Sequence, residues 1–415
     1  MRACVETYGC TMNQGEGLQL KRSLFTLGYE LVDACEEADI AVVNTCVVIQ
    51  ATELKILKRL KQLRDAGKGL VVTGCMASVM REEVLRRFPE ALVIAPLEYE
   101  EFEERLKHRF GTGRGLHFPR PGWGVTAIVP ISQGCLGSCS YCITKLARGT
   151  LDSYAPEQVV SSVGKAVEQG SKEILLTAQD TGCYGLDIGT DLAGLVEKVV
   201  DVPGDFRVRV GMMNPDSLRE IQHQLMKAYQ HPKVYKFLHL PVQTGSDRLL
   251  KSMGRGYTVA EFEAQVTNFR EVHPRLTLST DVITGYPGET EEDHRATVGL
   301  IDRARPNILN VTRFSARPGT EAAGMRAQVV SRIAKDRSRE LAKLRFQVAA
   351  EKNAMRKGEE LEALATEAGK PGTTILRDDS YTPIVIHGSV QLGARFRLQV
   401  IGSTATHLFA KTLSR

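Results

Sequence analysis

The chain has 415 residues, of which 42% are hydrophobic and 25% are charged, a composition that is ordinary for a globular protein and excludes a fibrous or wholly disordered chain. With 54 basic and 49 acidic side chains the formal net charge is +5, which permits an anionic partner without requiring one. The nine cysteines are an odd number and show no disulfide spacing. They argue against a secreted disulfide scaffold and favour metal or redox chemistry in a reducing cytoplasm.

The sequence predicts neither a targeting segment nor a membrane span. Residues 1–20 carry Glu6 and Glu16 and lack the apolar core of a signal peptide. The longest apolar stretch, residues 40–49, is interrupted by Asn44 and has the length of a strand. We therefore expect a cytoplasmic protein that does not contact a membrane.

The first part of the chain predicts an α/β domain over residues 1–107. Short β-branched runs alternate there with stretches whose apolar residues recur at helical spacing. This alternation is typical of a doubly wound parallel sheet. The predicted strands are residues 3–7, 40–44, 69–73 and 91–94.

Residues 108–124 interrupt this pattern. They contain five glycines and two prolines, a composition that predicts a linker between domains. A second alternation in residues 125–325 predicts six βα units, which is typical of a partial or complete β/α barrel with its active site at the carboxyl ends of the strands. The predicted barrel strands are residues 127–132, 173–178, 206–211, 236–241, 276–283 and 308–314.

Two further segments complete the chain. Residues 326–356 predict a connecting helix, and ten basic residues lie between Arg326 and Lys357. They form either a solvated helix face or a surface for an anionic polymer. In residues 357–415, short alternating runs separated by glycine-containing turns predict a small β-barrel. The oligonucleotide-binding fold is a barrel of this kind. Its predicted strands are residues 361–366, 373–376, 383–386, 394–401 and 407–411.

The strongest local signal is the cysteine loop, residues 134–142, which reads GCLGSCSYC. Its C-x3-C-x2-C spacing offers three thiols, Cys135, Cys139 and Cys142, which we call the loop triad. Iron–sulfur clusters are usually held by four thiolates, so three leave one iron open. An open iron can chelate S-adenosylmethionine (SAM), whose reductive cleavage yields a 5′-deoxyadenosyl radical. The alternative is a structural zinc site whose fourth ligand lies elsewhere in the chain.

Three other cysteines form a second group, which we call the N-terminal triad. Cys10, Cys46 and Cys75 each lie just past the carboxyl end of a predicted parallel strand. Ligands bind at that edge of such sheets, so we expect the three thiols to converge on a second cluster site. The alternative is that they are buried core cysteines. The remaining cysteines are predicted to be structural: Cys4, Cys35 and Cys183.

Polar residues and glycines follow the predicted barrel strands, for example in residues 177–181, 241–247 and 285–290. Glycine permits a close approach of the backbone to a ligand. Gln, Ser and Asp can bind ribose hydroxyls and the polar groups of methionine. Each loop taken alone is also explained by ordinary turn chemistry.

These motifs together resemble the methylthiotransferases, a family of radical SAM enzymes, over nearly the whole chain. Residues 357–415 are similar to the TRAM domain of that family, with GEEL at 358–361 and RDDSYTPIV at 377–385. Three further runs are similar to family motifs: LPVQTGSD at 240–247, GYPGETEE at 285–292 and FSARPGT at 314–320.

The runs TYGCTMNQ at 7–14 and CLGSCSYCITKLARG at 135–149 resemble the archaeal and eukaryotic members. That resemblance implies the installation of a methylthio group at C2 of N6-threonylcarbamoyladenosine, at tRNA position 37 beside the anticodon. One departure is visible. The family usually continues after the asparagine with Asp-Ser-Glu, whereas this chain has Gly15, Glu16, Gly17 and Leu18.

The resemblance also implies two [4Fe–4S] clusters. The loop triad would hold the cluster that cleaves SAM, and the N-terminal triad would hold an auxiliary cluster carrying the sulfur that a second SAM methylates. The implied cofactor contacts are Tyr141, Gln179, Asp180, Arg209, Gln243, Asp281 and Gly285. The implied substrate contacts are Lys145, Arg148, Arg317 and Arg377.

The implied partners are the anticodon loop of tRNA and an electron donor such as a flavodoxin or a ferredoxin, and the expected state is a monomer. Alternatives remain open on the sequence alone. They are methylthiolation of another tRNA adenosine or of a ribosomal-protein side chain, RNA binding by a non-catalytic iron–sulfur protein, and zinc binding.

Overall fold

A computed structural model describes residues 1–113 and 121–413 of the protein. Part of the predicted linker, residues 114–120, and the last two residues of the chain lie outside the described residues. A helix over Phe102–Phe110 ends inside the predicted linker.

The N-terminal sheet has five parallel strands in the order β2-β1-β3-β4-β5. This arrangement confirms the predicted parallel sheet. Strand β3 is buried along its whole length because helices cover both faces of the sheet. The strands are β1 (Arg2–Thr7), β2 (Glu30–Leu31), β3 (Ile40–Thr45), β4 (Gly69–Gly74) and β5 (Leu92–Val93). The helices are α1 (Thr11–Thr26), α2 (Gln50–Asp65), α3 (Cys75–Val79), α4 (Arg81–Arg87) and α5 (Phe102–Phe110).

Cys4 and Cys35, which the sequence leaves as unpaired structural residues, are joined by a disulfide. Cys4 lies in β1 and Cys35 in a turn beside it, with a Cα–Cα distance of 5.2 Å. This distance lies within the range that a disulfide spans. The pairing depends on the contact between strand and turn, since 31 residues separate the two cysteines.

The central barrel contains six parallel strands in two sheets, of order β10-β9-β6 and β11-β12-β13. An isolated parallel bridge between Val208 and Val234 links the two halves. The strands are β6 (Thr126–Pro130), β9 (Glu173–Thr177), β10 (Arg207–Val210), β11 (Phe237–His239), β12 (Thr277–Thr284) and β13 (Ile308–Arg313). All six predicted barrel strands are therefore present, although the first ends earlier than predicted.

Residues 132 and 133 leave the first barrel strand and form a short antiparallel pair beside it. Strand β7 (Ser132–Gln133) pairs with β8 (Asp152–Ser153), so this pair closes off the segment that contains the cysteine loop and the helix that follows it. The helices of the central barrel are α6 (Ile143–Arg148), α7 (Pro156–Glu168), α8 (Leu192–Val200), α9 (Pro215–Leu218), α10 (Gln222–Ala228), α11 (Asp247–Ser252), α12 (Val259–Val272) and α13 (Glu291–Ala304).

A long helix leads to the C-terminal barrel. Helix α14 (Ser331–Ala354) lies within the predicted basic segment and contacts α13 and β13. The five strands that follow form a closed barrel in the order β14-β15-β16-β18-β17, as the sequence predicts. They are β14 (Glu360–Ala368), β15 (Thr373–Arg377), β16 (Pro383–His387), β17 (Arg395–Ser403) and β18 (Leu408–Thr412).

Within the described part of the chain, no helix combines the length and the apolar character that crossing a bilayer requires.

Candidate active site

The N-terminal triad lies at one edge of the N-terminal sheet. Cys10 precedes helix α1, Cys46 follows strand β3, and Cys75 is the first residue of α3 directly after β4. A Cβ atom built on Gly9 would come within 2.8 Å of Cys46 Cβ, so the two loops approach each other closely only because residue 9 has no side chain. Parallel strands thus bring together thiols that are far apart in the sequence.

The loop triad lies on the cysteine loop between β7 and helix α6. The Gly137 amide donates a hydrogen bond to Cys135 Sγ (3.2 Å). Lys145 Nζ donates to the carbonyl oxygens of Leu136 (3.3 Å) and Gly137 (3.0 Å) and so holds the loop from the following helix. These contacts fix the loop backbone around Cys135.

Both triads reach one cavity of about 320 Å³, which lies between the N-terminal sheet and the carboxyl ends of the central barrel strands. All three cysteines of the N-terminal triad and Cys135 of the loop triad line it. The predicted cofactor and substrate residues that also line it are Lys145, Arg148, Gln179, Arg209 and Asp281. The cavity therefore brings residues of two domains to one place.

Several predicted cofactor contacts lie outside this lining. Asp180 is buried and accepts hydrogen bonds from the amides of Gly182 (3.0 Å) and Asn214 (3.1 Å), from Asn214 Nδ2 (2.7 Å) and from Ser217 Oγ (2.6 Å). Burial raises the pKa of Asp180, and these donors oppose the shift. Its carboxylate is thus occupied by protein donors, and its role as a SAM contact stays a prediction.

Three more predicted SAM contacts, Gln243, Gly285 and Tyr141, contact other parts of the protein. Gln243 pairs its backbone with β12 and has a positive φ of 70°. The Gly285 amide donates to Glu289 Oε2 (2.6 Å). Tyr141 packs edge-on against Tyr286, with ring centroids 6.4 Å apart. The structure does not place these residues among the cavity lining, and their contact with SAM stays a prediction.

The predicted substrate arginines are engaged within the protein. Arg317 is buried and forms an ion pair with Glu53 of helix α2. Arg377 forms an ion pair with Glu367 (3.0 Å), and its guanidinium lies over the Tyr381 ring at 4.7 Å. Their contact with tRNA is not tested and stays a prediction.

Arg148 joins the two parts of the site. It is only 1% exposed, and its guanidinium forms two hydrogen bonds to the buried carboxylate of Glu16, one of them from Nη2 at 2.9 Å. Arg148 Nη2 also donates to Asn13 Oδ1 (3.0 Å). Burial raises the pKa of the Cys75 thiol to about 11, and the positive charge of Arg148 opposes that shift.

His239 and Arg255 have contacts with site residues that the sequence analysis did not single out. His239 lines the cavity, and its Nε2 lies 2.9 Å from Asp281 Oδ2. Arg255 donates from Nη1 to Cys139 Sγ at 3.1 Å. His239 ends a barrel strand, and this position could have singled it out. For Arg255 the sequence carries no such signal, because it lies in a turn between helices α11 and α12.

The cavity retains polar atoms without a protein partner. Gln179 Oε1 and the Nε atoms of Arg148 and Arg209 are buried and have no hydrogen-bond partner among the described residues. Buried polar atoms are normally satisfied, so these point to a polar ligand. A polar molecule such as SAM fits this set of donors and acceptors.

The cysteines are not arranged around a single ion. In residues 1–113 and 121–413, no three His, Cys, Asp or Glu side chains lie close enough together to hold one metal ion. Three thiols on a short loop do, however, form the donor set that an iron–sulfur cluster uses. The residues of the loop triad therefore fit a cluster in their chemistry.

Two family models match separate parts of the chain. Residues 2–95 match "Uncharacterized protein family UPF0004", and residues 129–301 match the radical SAM superfamily. A Pyrococcus abyssi protein named "Probable threonylcarbamoyladenosine tRNA methylthiotransferase" is 42% identical over 425 residues, which cover 99% of both chains. The chain belongs to the threonylcarbamoyladenosine tRNA methylthiotransferase family.

Similar proteins are also found in eukaryotes. The Xenopus laevis threonylcarbamoyladenosine tRNA methylthiotransferase is 36% identical over 358 residues, which cover 82% of this chain and 64% of that protein. Among solved structures, the radical SAM methyltransferase TsrM of Kitasatospora setae has a TM-score of 0.55 at 15% identity and covers 78% of this chain and 75% of that one, a likeness of fold alone.

Membership of the threonylcarbamoyladenosine tRNA methylthiotransferase family makes this protein an enzyme of the radical SAM methylthiotransferase type. A radical SAM enzyme uses a [4Fe–4S] cluster and SAM. The family therefore confirms that the C-x3-C-x2-C loop belongs to a radical SAM domain and does not favour the zinc alternative.

Proposed function

We propose that this protein installs a methylthio group at C2 of the adenine of N6-threonylcarbamoyladenosine 37, next to the anticodon of tRNA. The observation that carries the proposal is the cavity lined by all three cysteines of the N-terminal triad and by Cys135 of the loop triad. One triad belongs to the radical SAM domain and the other to the N-terminal sheet. A reaction that needs both a radical and a delivered sulfur requires such a shared site.

Each triad has its own task in this proposal. Cys135, Cys139 and Cys142 hold the radical SAM cluster, and the N-terminal triad holds a second [4Fe–4S] cluster that carries the sulfur donor. A cluster held by these three cysteines, with SAM bound, would supply the radical chemistry needed to remove hydrogen from the base. Three thiolates at each site leave room for one ligand that is not a protein side chain.

Residues of the cavity bind and orient the small molecules. Gln179 offers Oε1 as an acceptor and Arg209 offers Nε as a donor, and neither atom has a hydrogen-bond partner in the part of the chain that the structure describes. Asp281 accepts a hydrogen bond from Asn310 Nδ2 (2.6 Å) and pairs with His239, so the imidazole is held in one orientation at the cavity wall. A cavity of about 320 Å³ lies at the lower end of the range for small-molecule sites, which is about 300–1,000 Å³.

The tRNA requires a larger surface than this cavity. On helix α14, the side chains of Arg332 and Arg339 are 91% and 67% exposed, whereas Arg337 is buried against Glu289. The exposed residues can contact phosphates, and such contacts weaken as salt concentration rises. We propose that α14 and the C-terminal barrel bind the anticodon arm, that a flavodoxin or ferredoxin supplies electrons, and that the protein acts as a monomer.

The proposal is tested by mass spectrometry of tRNA nucleosides. tRNA is compared from cells that carry the gene, lack it, or carry the Cys135→Ala variant. We expect the methylthio derivative of threonylcarbamoyladenosine only with the unaltered gene, and the unmethylthiolated nucleoside in the other two. Equal amounts of the methylthio nucleoside in all three strains would refute the proposal.

Further measurements on the same strains distinguish the proposal from two alternative functions. Methylthiolation of a ribosomal protein predicts unchanged tRNA and a mass shift in that protein. A non-catalytic iron–sulfur RNA-binding protein predicts tRNA binding without release of 5′-deoxyadenosine from SAM in the presence of a reductant. The relatives named above do not favour either alternative.

A further inference from the structure

Arg255 is a buried cation beside the loop triad. The residue is 9% exposed, and its Nη1 donates to Cys139 Sγ at 3.1 Å. Nη2 donates to Asn214 Oδ1 (2.7 Å) and to the carbonyl oxygen of Pro241 (3.3 Å), and Nε donates to the Tyr257 hydroxyl (3.1 Å). Apart from the cysteine sulfur, every partner of this guanidinium is a neutral group.

The other buried arginines of the described residues have carboxylate partners. Arg148 pairs with Glu16, Arg317 with Glu53 and Arg337 with Glu289. No carboxylate among residues 1–113 and 121–413 forms an ion pair with Arg255. Burying an unpaired charge costs far more than burying a paired one. Arg255 therefore needs an anion that the polypeptide itself does not provide.

The position of the guanidinium is fixed by its neighbours. Asn214 Nδ2 donates to Asp180 Oδ2 (2.7 Å), which leaves Asn214 Oδ1 aimed at Arg255. The Tyr257 hydroxyl donates to the carbonyl oxygens of Pro241 (3.1 Å) and Val242 (3.0 Å). Asp180, predicted from the sequence as a SAM contact, thus helps to orient Arg255 through Asn214.

We propose that the radical SAM cluster is the counter-ion of Arg255 and that Arg255 raises the reduction potential of this cluster. A [4Fe–4S] core with three thiolates carries a net negative charge, and it gains one further negative charge when it accepts one electron from an external donor. A nearby cation in a low-dielectric interior stabilises the more negative state. Lys145 is the other cation at the loop, but it is partly exposed and therefore more strongly screened.

This inference depends on the radical SAM cluster and not on the tRNA substrate, so it is tested without tRNA. The full chain carries Cys10→Ala, Cys46→Ala and Cys75→Ala, which leaves one cluster to observe. Arg255→Met removes the charge, Arg255→Gln removes it but keeps a polar side chain, and Arg255→Lys keeps it. Arg219→Met is the matched control, because Arg219 donates to the Gly256 carbonyl (2.7 Å) but has a side chain that is 45% exposed.

The measurement is a reductive titration of each reconstituted protein followed by electron paramagnetic resonance, with iron content determined in parallel. We expect the equilibrium constant for one-electron reduction to fall about tenfold in Arg255→Met and Arg255→Gln, which is a shift of about −59 mV. Arg255→Lys and Arg219→Met are expected to stay close to the parent. Full iron content with an unchanged potential in Arg255→Met would overturn the proposal.

Iron content decides the remaining outcomes. If both neutral variants fail to hold iron while Arg255→Lys retains a full cluster, the charge is needed to hold the cluster and the proposal is supported. If all three Arg255 variants lose iron, the shape of the arginine side chain and not its charge maintains the site, and the proposal is wrong.

Discussion

Glu16, in the run after Asn13 that departs from the family pattern, forms a buried ion pair with Arg148. A Cβ atom on Gly15 would come within 2.9 Å of Ile128 Cγ2, so the glycine lets helix α1 approach strand β6. That approach places the Glu16 carboxylate against Arg148, which lies 132 residues later in the chain. The Glu16 carboxylate therefore faces a cation inside the protein.

We predict that Glu16→Gln destabilises the protein by about 3–5 kcal/mol, because it leaves Arg148 buried without a carboxylate. The measurement is urea unfolding of the cluster-free protein in reducing buffer. Glu83→Gln is the control, since Glu83 pairs with Arg87 at the surface and such pairs contribute at most about 1 kcal/mol. A loss in Glu16→Gln no larger than that of the control would contradict the role of the ion pair. The double variant Glu16→Leu with Arg148→Met is expected to recover much of the loss.

At the scale of elements, packing between domains builds the site. Ile143 and Ala147 of helix α6 are buried in the hydrophobic core of the N-terminal sheet, although α6 follows the cysteine loop of the central barrel. Helix α6, which directly follows Cys142 of the loop triad, is thus packed into the N-terminal domain that carries the N-terminal triad. This contact positions the two sets of thiols on one cavity.

The C-terminal barrel also reaches the central barrel through a turn. Tyr381, in the turn between β15 and β16, packs edge-on against Tyr235 (5.0 Å between centroids) and Phe237 (5.2 Å). The guanidinium of Arg209, which lines the cavity, lies 5.1 Å from the Tyr381 ring. The turn between β15 and β16 therefore contacts Arg209, a residue of the cavity wall.

We predict that Tyr381→Ala lowers the free energy of unfolding by about 3 kcal/mol, because it removes a ring packed between two aromatic side chains. Scanning calorimetry of thermal unfolding measures this change in the free energy of unfolding. Tyr381→Phe keeps the ring and loses only the weak contact between Arg209 Nη1 and the Tyr381 hydroxyl (3.5 Å), so we expect little change. Equal behaviour of the two variants would show that the ring does not hold the barrels together.

In the whole molecule, six of the free cysteines lie in two domains, three in each. The N-terminal triad belongs to the sheet and the loop triad to the central barrel, and both reach the same cavity. The seventh free cysteine, Cys183, is buried and donates to the Asp180 carbonyl oxygen (3.1 Å). The structural role that the sequence predicts for Cys183 stays a prediction.

If the two triads have separate roles, substitutions in them should affect SAM cleavage and methylthiolation differently. Cys135→Ala should abolish formation of 5′-deoxyadenosine from SAM, because it removes a ligand of the radical SAM cluster. Cys46→Ala should block methylthiolation while SAM cleavage continues, because the radical SAM cluster is intact. Chromatography of 5′-deoxyadenosine and nucleoside mass spectrometry measure the two products, with Ser138→Ala on the same loop as the control. Equal loss of both products in Cys46→Ala would contradict separate roles.

The parallel strands, the C-terminal barrel and the spacing of the loop triad were predictable from the sequence. These features follow from local patterns: alternation of strand and helix periodicity, turns rich in glycine, and cysteines within a few residues of each other. Placement of Cys10, Cys46 and Cys75 at strand ends was also predictable, because strand ends can be read from hydrophobic runs. Family resemblance then supplied the chemistry of the two groups.

Tertiary structure alone decided which polar side chains face the cavity. Asp180 follows a barrel strand as a ligand-binding residue would, yet four protein donors surround its carboxylate. Arg148 lies beside the loop triad in sequence but is buried against Glu16. Arg255 reaches Cys139 across 116 residues of chain. No local pattern encodes these contacts, because each depends on how separate elements pack together.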